Sequence, residues 1–190
     1  WGRPESWKIA DSHNWGTWHG RKPFESFDSS IPRFMSEYGF QAFPEMKTIR
    51  TFAEEKDFEL ESPVMNAHQK ATIGNALIKQ TMGLYYKVPA RFEDLVYMGL
   101  LLQGQGMRHG MEAHRRNRPY CMGSLFWQLN DSWPVVSWSA IDYYGNWKAL
   151  MYQSKRAFAP ILINAIREDN DLCVYLISDE LHDRDDVSMT

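Results

Sequence analysis

The feature that most constrains this chain is the order of its apolar patterns. Strand-like and helix-like runs alternate as far as residue 158, and then two strand-like runs follow one another directly. Alternation is the mark of α/β architecture, in which helices return the chain to lay one strand parallel to the last. Arg33-Phe34-Met35-Ser36-Glu37 reads as a short strand, announced by Pro32 and ended by Gly39. Cys121-Met122-Gly123-Ser124-Leu125-Phe126-Trp127 reads as a buried strand, with the polar loop Gln128-Leu129-Asn130-Asp131-Ser132-Trp133-Pro134 behind it.

Helices are predicted over 44–52, 62–80, 91–117 and 146–158. Pro44 and Ser62-Pro63 supply first-turn prolines and a cap, and Pro119 and Pro160 act as stops. Gly99, Gly104, Gly106 and Gly110 in the longest helix cost ~1 kcal/mol each relative to alanine, which points to close backbone packing there. Residues 1–20 read more as loop than as element. After Pro160, Ile161-Leu162-Ile163-Asn164 and Leu172-Cys173-Val174-Tyr175-Leu176-Ile177-Ser178 are consecutive strands around the acidic turn Glu168-Asp169-Asn170-Asp171, so a domain boundary is expected near 158–161. Trp1-Gly2-Arg3-Pro4 has neither an initiator Met nor a signal-like start, and Asp185-Asp186-Val187-Ser188-Met189-Thr190 stops in mid-pattern. Both ends read as cuts within a longer chain.

A net charge of −3 offers no electrostatic footprint for nucleic acid or an anionic membrane surface. No apolar stretch reaches the roughly 20 residues of a membrane span. The short basic run His114-Arg115-Arg116-Asn117-Arg118 reads as the solvated end of a helix, and Cys121 and Cys173 as buried free thiols. Aromatic content is the outlier: eight Trp, nine Tyr and ten Phe make 14% of the chain, several beside Gly, Asn, His and Asp. Rings beside polar groups suit sugars, whose C–H faces stack while their hydroxyls hydrogen-bond, although large rings also fill cores.

In a parallel barrel the catalytic groups stand at strand C-termini. Glu37 and Trp127 each close a strand, a carboxylate able to attack an anomeric carbon and a ring able to floor a sugar. His109 and His114 are five apart on a helix and point different ways, which argues against a metal site. Ser36 lacks the glycine-flanked elbow of a hydrolase serine. The methionines of 98–122 read as core filler, and Trp7 and Trp18 as scaffold.

Phe34-Met35-Ser36-Glu37-Tyr38-Gly39-Phe40-Gln41 resembles the nucleophile segment of glycoside hydrolase family 2. Leu125-Phe126-Trp127-Gln128-Leu129-Asn130-Asp131-Ser132-Trp133-Pro134 resembles its eighth-strand segment. The continuation through Ser137-Trp138-Ser139-Ala140-Ile141-Asp142-Tyr143-Tyr144-Gly145 and the Lys148 helix is most similar to its β-mannosidases, as is Asp11-Ser12-His13-Asn14-Trp15-Gly16, which resembles their sixth-strand segment. The resemblance implies an α/β fold: about strands six to eight of a (β/α)8 TIM barrel over residues 1–159, then the first strands of an immunoglobulin-like β-sandwich over 160–190.

It implies a retaining exo-β-mannosidase that removes terminal β-linked mannose through a covalent glycosyl-enzyme intermediate and needs no metal or organic cofactor. Glu37 would be the nucleophile. Trp127, His13, Asn14, Trp15, Asn130, Asp131 and Trp133 would bind substrate, while Trp138, Asp142 and Tyr143 would cap the barrel end. The implied partners are a β-mannoside or manno-oligosaccharide and the missing N-terminal part of the parent chain. The family's acid/base Glu follows an Asn on the fourth strand. No Asn here is followed by Glu, so that residue is expected upstream and the isolated piece is expected to be inactive. A β-galactosidase or β-glucuronidase specificity and a non-catalytic carbohydrate-binding module stay open as alternatives. Secreted, periplasmic and lysosomal locations stay open too.

Overall fold

The computed structural model describes residues 7–9, 11–182 and 188. The readings made on residues 1–4 and on the end at 185–190 lie outside these residues, Ser188 apart. In chain order the elements are β1 (Ser12–Asn14), α1 (Ser26–Ser29), β2 (Met35–Tyr38), α2 (Met46–Ile49), a 3-10 turn at Glu55–Asp57, α3 (Pro63–Ala67), α4 (Gly74–Tyr85), α5 (Phe92–Arg116), α6 (Ala149–Ala157), β3 (Ile161–Glu168) and β4 (Asp171–Ser178).

Strand β2 is central. β1 pairs with it in parallel, with Ser12 opposite Met35, His13 opposite Glu37 and Asn14 opposite Tyr38. On its other edge runs the 121–127 segment, also parallel. The amides of Met122, Leu125 and Trp127 donate to the carbonyls of Arg33, Met35 and Tyr38 at 2.8–2.9 Å, and the Met35 amide donates to Gly123 O at 2.9 Å. Residues 12–14, which read as loop from their pattern but as a sixth-strand segment by resemblance, form a strand. The 121–127 run was expected to be buried, yet Met122, Leu125 and Trp127 are 57%, 55% and 44% exposed. Helix α5 reaches the run at Ser124, where His114 Nδ1 lies 2.8 Å from its Oγ, while Met122, Leu125 and Trp127 are left uncovered among the described residues.

The core lies between β2 and the helices, built on Trp18, Phe27, Met35, Tyr38, Phe40, Phe43, Ile49 and Met107. Gly104, Gly106 and Gly110 of α5 are sites of close approach, as expected, whereas Gly99 is not, a methyl there meeting nothing nearer than Ile78 at 3.7 Å. A methyl on Gly106 would stand 2.3 Å from the Phe24 ring, and one on Gly104 would stand 3.2 Å from the Ala149 backbone. The helix predicted over 62–80 is two helices. Ser62 caps α3, its Oγ accepting from the Met65 amide, but residues 68–70 leave the helix to pair with the chain at 136. Val136 N donates to His68 O at 2.7 Å and Lys70 N to Val136 O at 3.2 Å. Those bonds compete with helical ones, and the pairing wins. The helix predicted over 44–52 is helical only over Met46–Ile49, with Glu45 rather than a proline-led turn at its cap.

β3 and β4 form an antiparallel hairpin around Asp169, which takes the left-handed φ of 52°. Cys173 lies on the face of this ribbon that packs on the protein, with Leu162, Asn164 and Ile177, but near the hairpin tip, and is half-buried rather than buried. The basic run is the larger correction: Arg118 is exposed, but its first three residues are not solvated. His114 and Arg115 are buried, and the Arg116 side chain is 5% exposed. Arg115 donates to Ala157 O at 2.5 Å, Ala159 O at 2.8 Å and Asp179 at 2.9 Å. Arg116 donates to Asn164 Oδ1 and Asp28, while Asn164 Nδ2 donates to Glu112 at 2.7 Å. Guanidinium forks saturate the carbonyls where α6 ends and bind the hairpin to α5, so the charges face inward acceptors instead of water.

Candidate active site

Glu37 stands near the end of β2 with its side chain 23% exposed. Trp15 Nε1 donates to its Oε2 at 2.8 Å, and His13 Nδ1 lies 3.1 Å from the same oxygen. The sequence brings these groups together through the backbone. A regular parallel ladder continuing from Ser12–Met35 would set His13 beside Ser36, but a register shift between Ser12 and His13 sets it beside Glu37. Bulges of this kind re-aim side chains. Ser36 points to the opposite side of the strand and ties it to β1, its hydroxyl lying 2.8 Å from Asp11 Oδ2 and 3.2 Å from Ser12 O. That hydroxyl is the main reason the Asp11 carboxyl sits below its ordinary pKa. Asp11 Oδ2 is also 4.0 Å from His13 Nε2.

Gly39 explains the glycine two residues after the carboxylate. A methyl there would lie 2.5 Å from Trp127 O, 3.1 Å from Trp138 Cδ1 and 3.2 Å from Trp15 Cη2. Only glycine lets the three tryptophan segments close around this strand end. Trp15 and Trp138 meet edge to face with centroids 5.9 Å apart, and Trp138 meets Trp18 in the same way at 5.8 Å. Trp127 has its backbone tied to Tyr38, and its side chain is 44% exposed.

Of the residues expected at the site, His13 and Trp15 meet Glu37 directly. Asn14 is buried, and its Oδ1 accepts from the Gly16 amide at 2.9 Å, closing the turn that presents Trp15. Asp131 points inward: Oδ2 accepts from Ser137 and Ser139 at 2.7 and 2.5 Å, and Oδ1 from Gln128 and Lys70, both at 3.1 Å. Asn130 is exposed, and Trp133 lies against His68 with centroids 5.1 Å apart. Asp142 is buried and accepts from Thr48 and Asn146. Burial opposes its charge, but these hydrogen bonds outweigh burial and hold its pKa low. Trp138, expected in an end cap, meets Trp15 beside Gly39 just past the end of β2, while Tyr143 is half-exposed against Tyr144.

Two buried groups escaped sequence reading. Lys148 is 1% exposed, its Nζ donating to Ala42 O at 2.9 Å and Ser137 O at 3.2 Å. Desolvation, only partly offset by Asp131 and Asp142, pushes it down to about 7. His114 is buried with Nδ1 on Ser124, whose hydroxyl also meets Tyr38 OH at 2.8 Å, and burial holds it neutral with a pKa of about 3. A lone Lys at a helix start and a His in a basic run carry no sequence signal of burial. Among the described residues no cluster of three or more His, Cys, Asp or Glu could hold a metal, and no helix is long and apolar enough to cross a membrane.

No family model matches the chain. Relatives do. It is 35% identical over 171 residues to β-mannosidase B of Aspergillus terreus, covering 87% of this chain and 20% of the relative. It is 36% identical over 184 residues to the β-mannosidase of Capra hircus, covering 90% and 20%. Its structure superposes on that of a β-D-mannosidase from Dictyoglomus thermophilum with a TM-score of 0.90 and 38% identity, over 93% of this chain and 22% of that one. The chain therefore spans about a fifth of the length of the curated relatives it matches. These likenesses make it part of a glycoside hydrolase. More particularly, it belongs to the β-mannosidase-like members of glycoside hydrolase family 2, and its fold is that of a segment of such an enzyme.

Proposed function

We propose that this chain supplies the nucleophile of a retaining exo-β-mannosidase, and that Glu37 is that nucleophile. One observation carries the reading: a part-exposed carboxylate stands at the end of the central of three parallel strands, with two N–H donors on one oxygen and tryptophans around it. Such a carboxylate is oriented and reachable, as attack on an anomeric carbon requires. Residues 1–159 would correspond to about strands six to eight of a (β/α)8 barrel, and 160–190 to the first strands of an immunoglobulin-like sandwich. The outer edges of β1 and the 121–127 run, unpaired with any strand among the described residues, and the apolar outer face of the hairpin (Ile163, Leu172, Val174) fit that division. Trp127 would floor the mannose ring, with Asn130 and Trp133 farther out on the rim. Asn14 and Asp131, whose side chains are engaged inside, would shape the pocket rather than touch sugar.

The whole protein would supply a second carboxyl group that protonates the leaving oxygen, so the isolated chain would not hydrolyse p-nitrophenyl β-mannoside. Chemical rescue tests the assignment. In the whole protein Glu37→Ala is expected to lose at least roughly 10³-fold in kcat, and azide is expected to restore turnover of an activated aryl β-mannoside as the α-mannosyl azide. Azide entering the space left by the carboxylate attacks that same face. A β-configured product, or no loss in Glu37→Ala, contradicts the reading.

A further inference from the structure

Building on the reading of Glu37 as nucleophile, we propose that His13 and Trp15 are positioning residues for it and not sugar contacts: together they hold Oε2 as the non-attacking oxygen and leave Oε1 to meet the anomeric carbon. A free carboxylate has two equivalent oxygens. Here Trp15 Nε1 at 2.8 Å and His13 Nδ1 at 3.1 Å converge on one of them. Hydrogen bonds to an ionised acceptor are roughly twice as strong as neutral ones, so two on one atom fix the rotation of the whole group.

Each donor is itself held. The register shift in β1 aims His13, and Asp11 stands 4.0 Å behind its Nε2, anchored by Ser36 at 2.8 Å. The Asn14 turn and the Trp138 and His19 rings hold Trp15. An indole N–H that ends on the carboxylate is not available to a sugar hydroxyl.

The arrangement matches the charge flow of both half-reactions. In the first, Oε1 bonds to the anomeric carbon and the bond to the leaving oxygen breaks, that oxygen taking a proton from the second carboxyl group. Oε1 becomes the ester oxygen, and Oε2 becomes the ester carbonyl, still able to accept both bonds. In the second, water attacks, its proton goes to the second carboxylate, and the C–Oε1 electron pair returns to Glu37. Donors already aimed at Oε2 stabilise that returning charge without rearrangement.

The test uses the whole protein with Trp15→Phe, which removes the indole N–H but keeps an aromatic ring, and with His13→Ala and His13→Asn, the last restoring a donor near the Nδ1 position. Each variant is inactivated with a 2-deoxy-2-fluoro-β-mannosyl fluoride, and its reactivation is timed beside kcat and KM on p-nitrophenyl β-mannoside. Trp15→Phe and His13→Ala are expected to slow both reactivation and kcat roughly 10- to 100-fold with no rise in KM, and His13→Asn to recover most of the loss. A raised KM with unchanged reactivation makes these residues sugar contacts and overturns the inference alone, as does a His13→Asn no better than His13→Ala. A fluorosugar label on a residue other than Glu37 in the parent overturns the underlying reading, and this one with it.

Discussion

Adding one methyl at Gly39 tests how tightly the site is closed. The new carbon in Gly39→Ala would lie 2.5 Å from Trp127 O, and it would touch Trp138 Cδ1 and Trp15 Cη2 at 3.1 and 3.2 Å. Carbon and carbonyl oxygen meet at about 3.3 Å, so the Trp127 carbonyl must retreat by roughly 0.8 Å. That carbonyl cannot move alone, because the Trp127 amide is bonded to Tyr38 O at 2.8 Å on the strand that carries Glu37. Overpacking of this kind costs about 1–3 kcal/mol, and a displacement near 1 Å in a catalytic site costs on the order of 10²-fold in rate. The expected result for the whole protein is a lowered thermal midpoint and a kcat on aryl β-mannosides reduced by about 10- to 100-fold. Wild-type midpoint and kcat together would refute the packing argument. A lowered midpoint with wild-type kcat would sever Gly39 from the chemistry.

Three further predictions concern the scaffold. Lys148 is held near 7 against an ordinary 10.5, so between those values the unfolded chain keeps a proton that the folded one has released. Its burial penalty is therefore full below pH 7 and fades as pH rises, a gain on the order of 5 kcal/mol at most. The thermal midpoint of the parent should rise relative to that of Lys148→Met from pH 7 to 10, and parallel profiles would count against it. His114, at about 3 against 6.5, destabilises as pH falls through that window, because the unfolded state takes up the proton first. His114→Gln should therefore show a flatter acid limb in a denaturation series, and an unchanged limb would contradict a buried neutral imidazole. Asn164→Ala strips partners from Glu112 and Arg116 at once, which should cost about 2–4 kcal/mol and raise amide exchange in β3 and β4 first. Exchange that rises uniformly would deny the hairpin its local clamp.

The long helix, the central strand and the hairpin were legible because each is written in local periodicity and bounded by Pro or Gly. The pairing of residues 68–70 with 136 was not, since the bond partners lie 66 or more residues apart and nothing local announces them. The basic run misled for a related reason. Arg115 and Arg116 look like a solvated helix end until the hairpin and the end of α6 are folded against them. At the site, Glu37 was legible from its strand-terminal position and its motif. The partnership of His13 and Trp15 with it was not, because a one-residue register shift decides which strand residue His13 faces. Asn14 and Asp131 were read as reaching outward, yet each is engaged inside, a choice set by backbone amides and hydroxyls that polarity patterns do not reveal.

The central claim is that Glu37 makes the covalent bond to the sugar. Trapping the whole protein with a 2-deoxy-2-fluoro mannoside, digesting it and sequencing the labelled peptide tests this directly. The account predicts one fluoromannosyl group, carried on Glu37 within Ser36-Glu37-Tyr38-Gly39. A label on any other residue, or stoichiometric inactivation of Glu37→Gln by the same reagent, contradicts it.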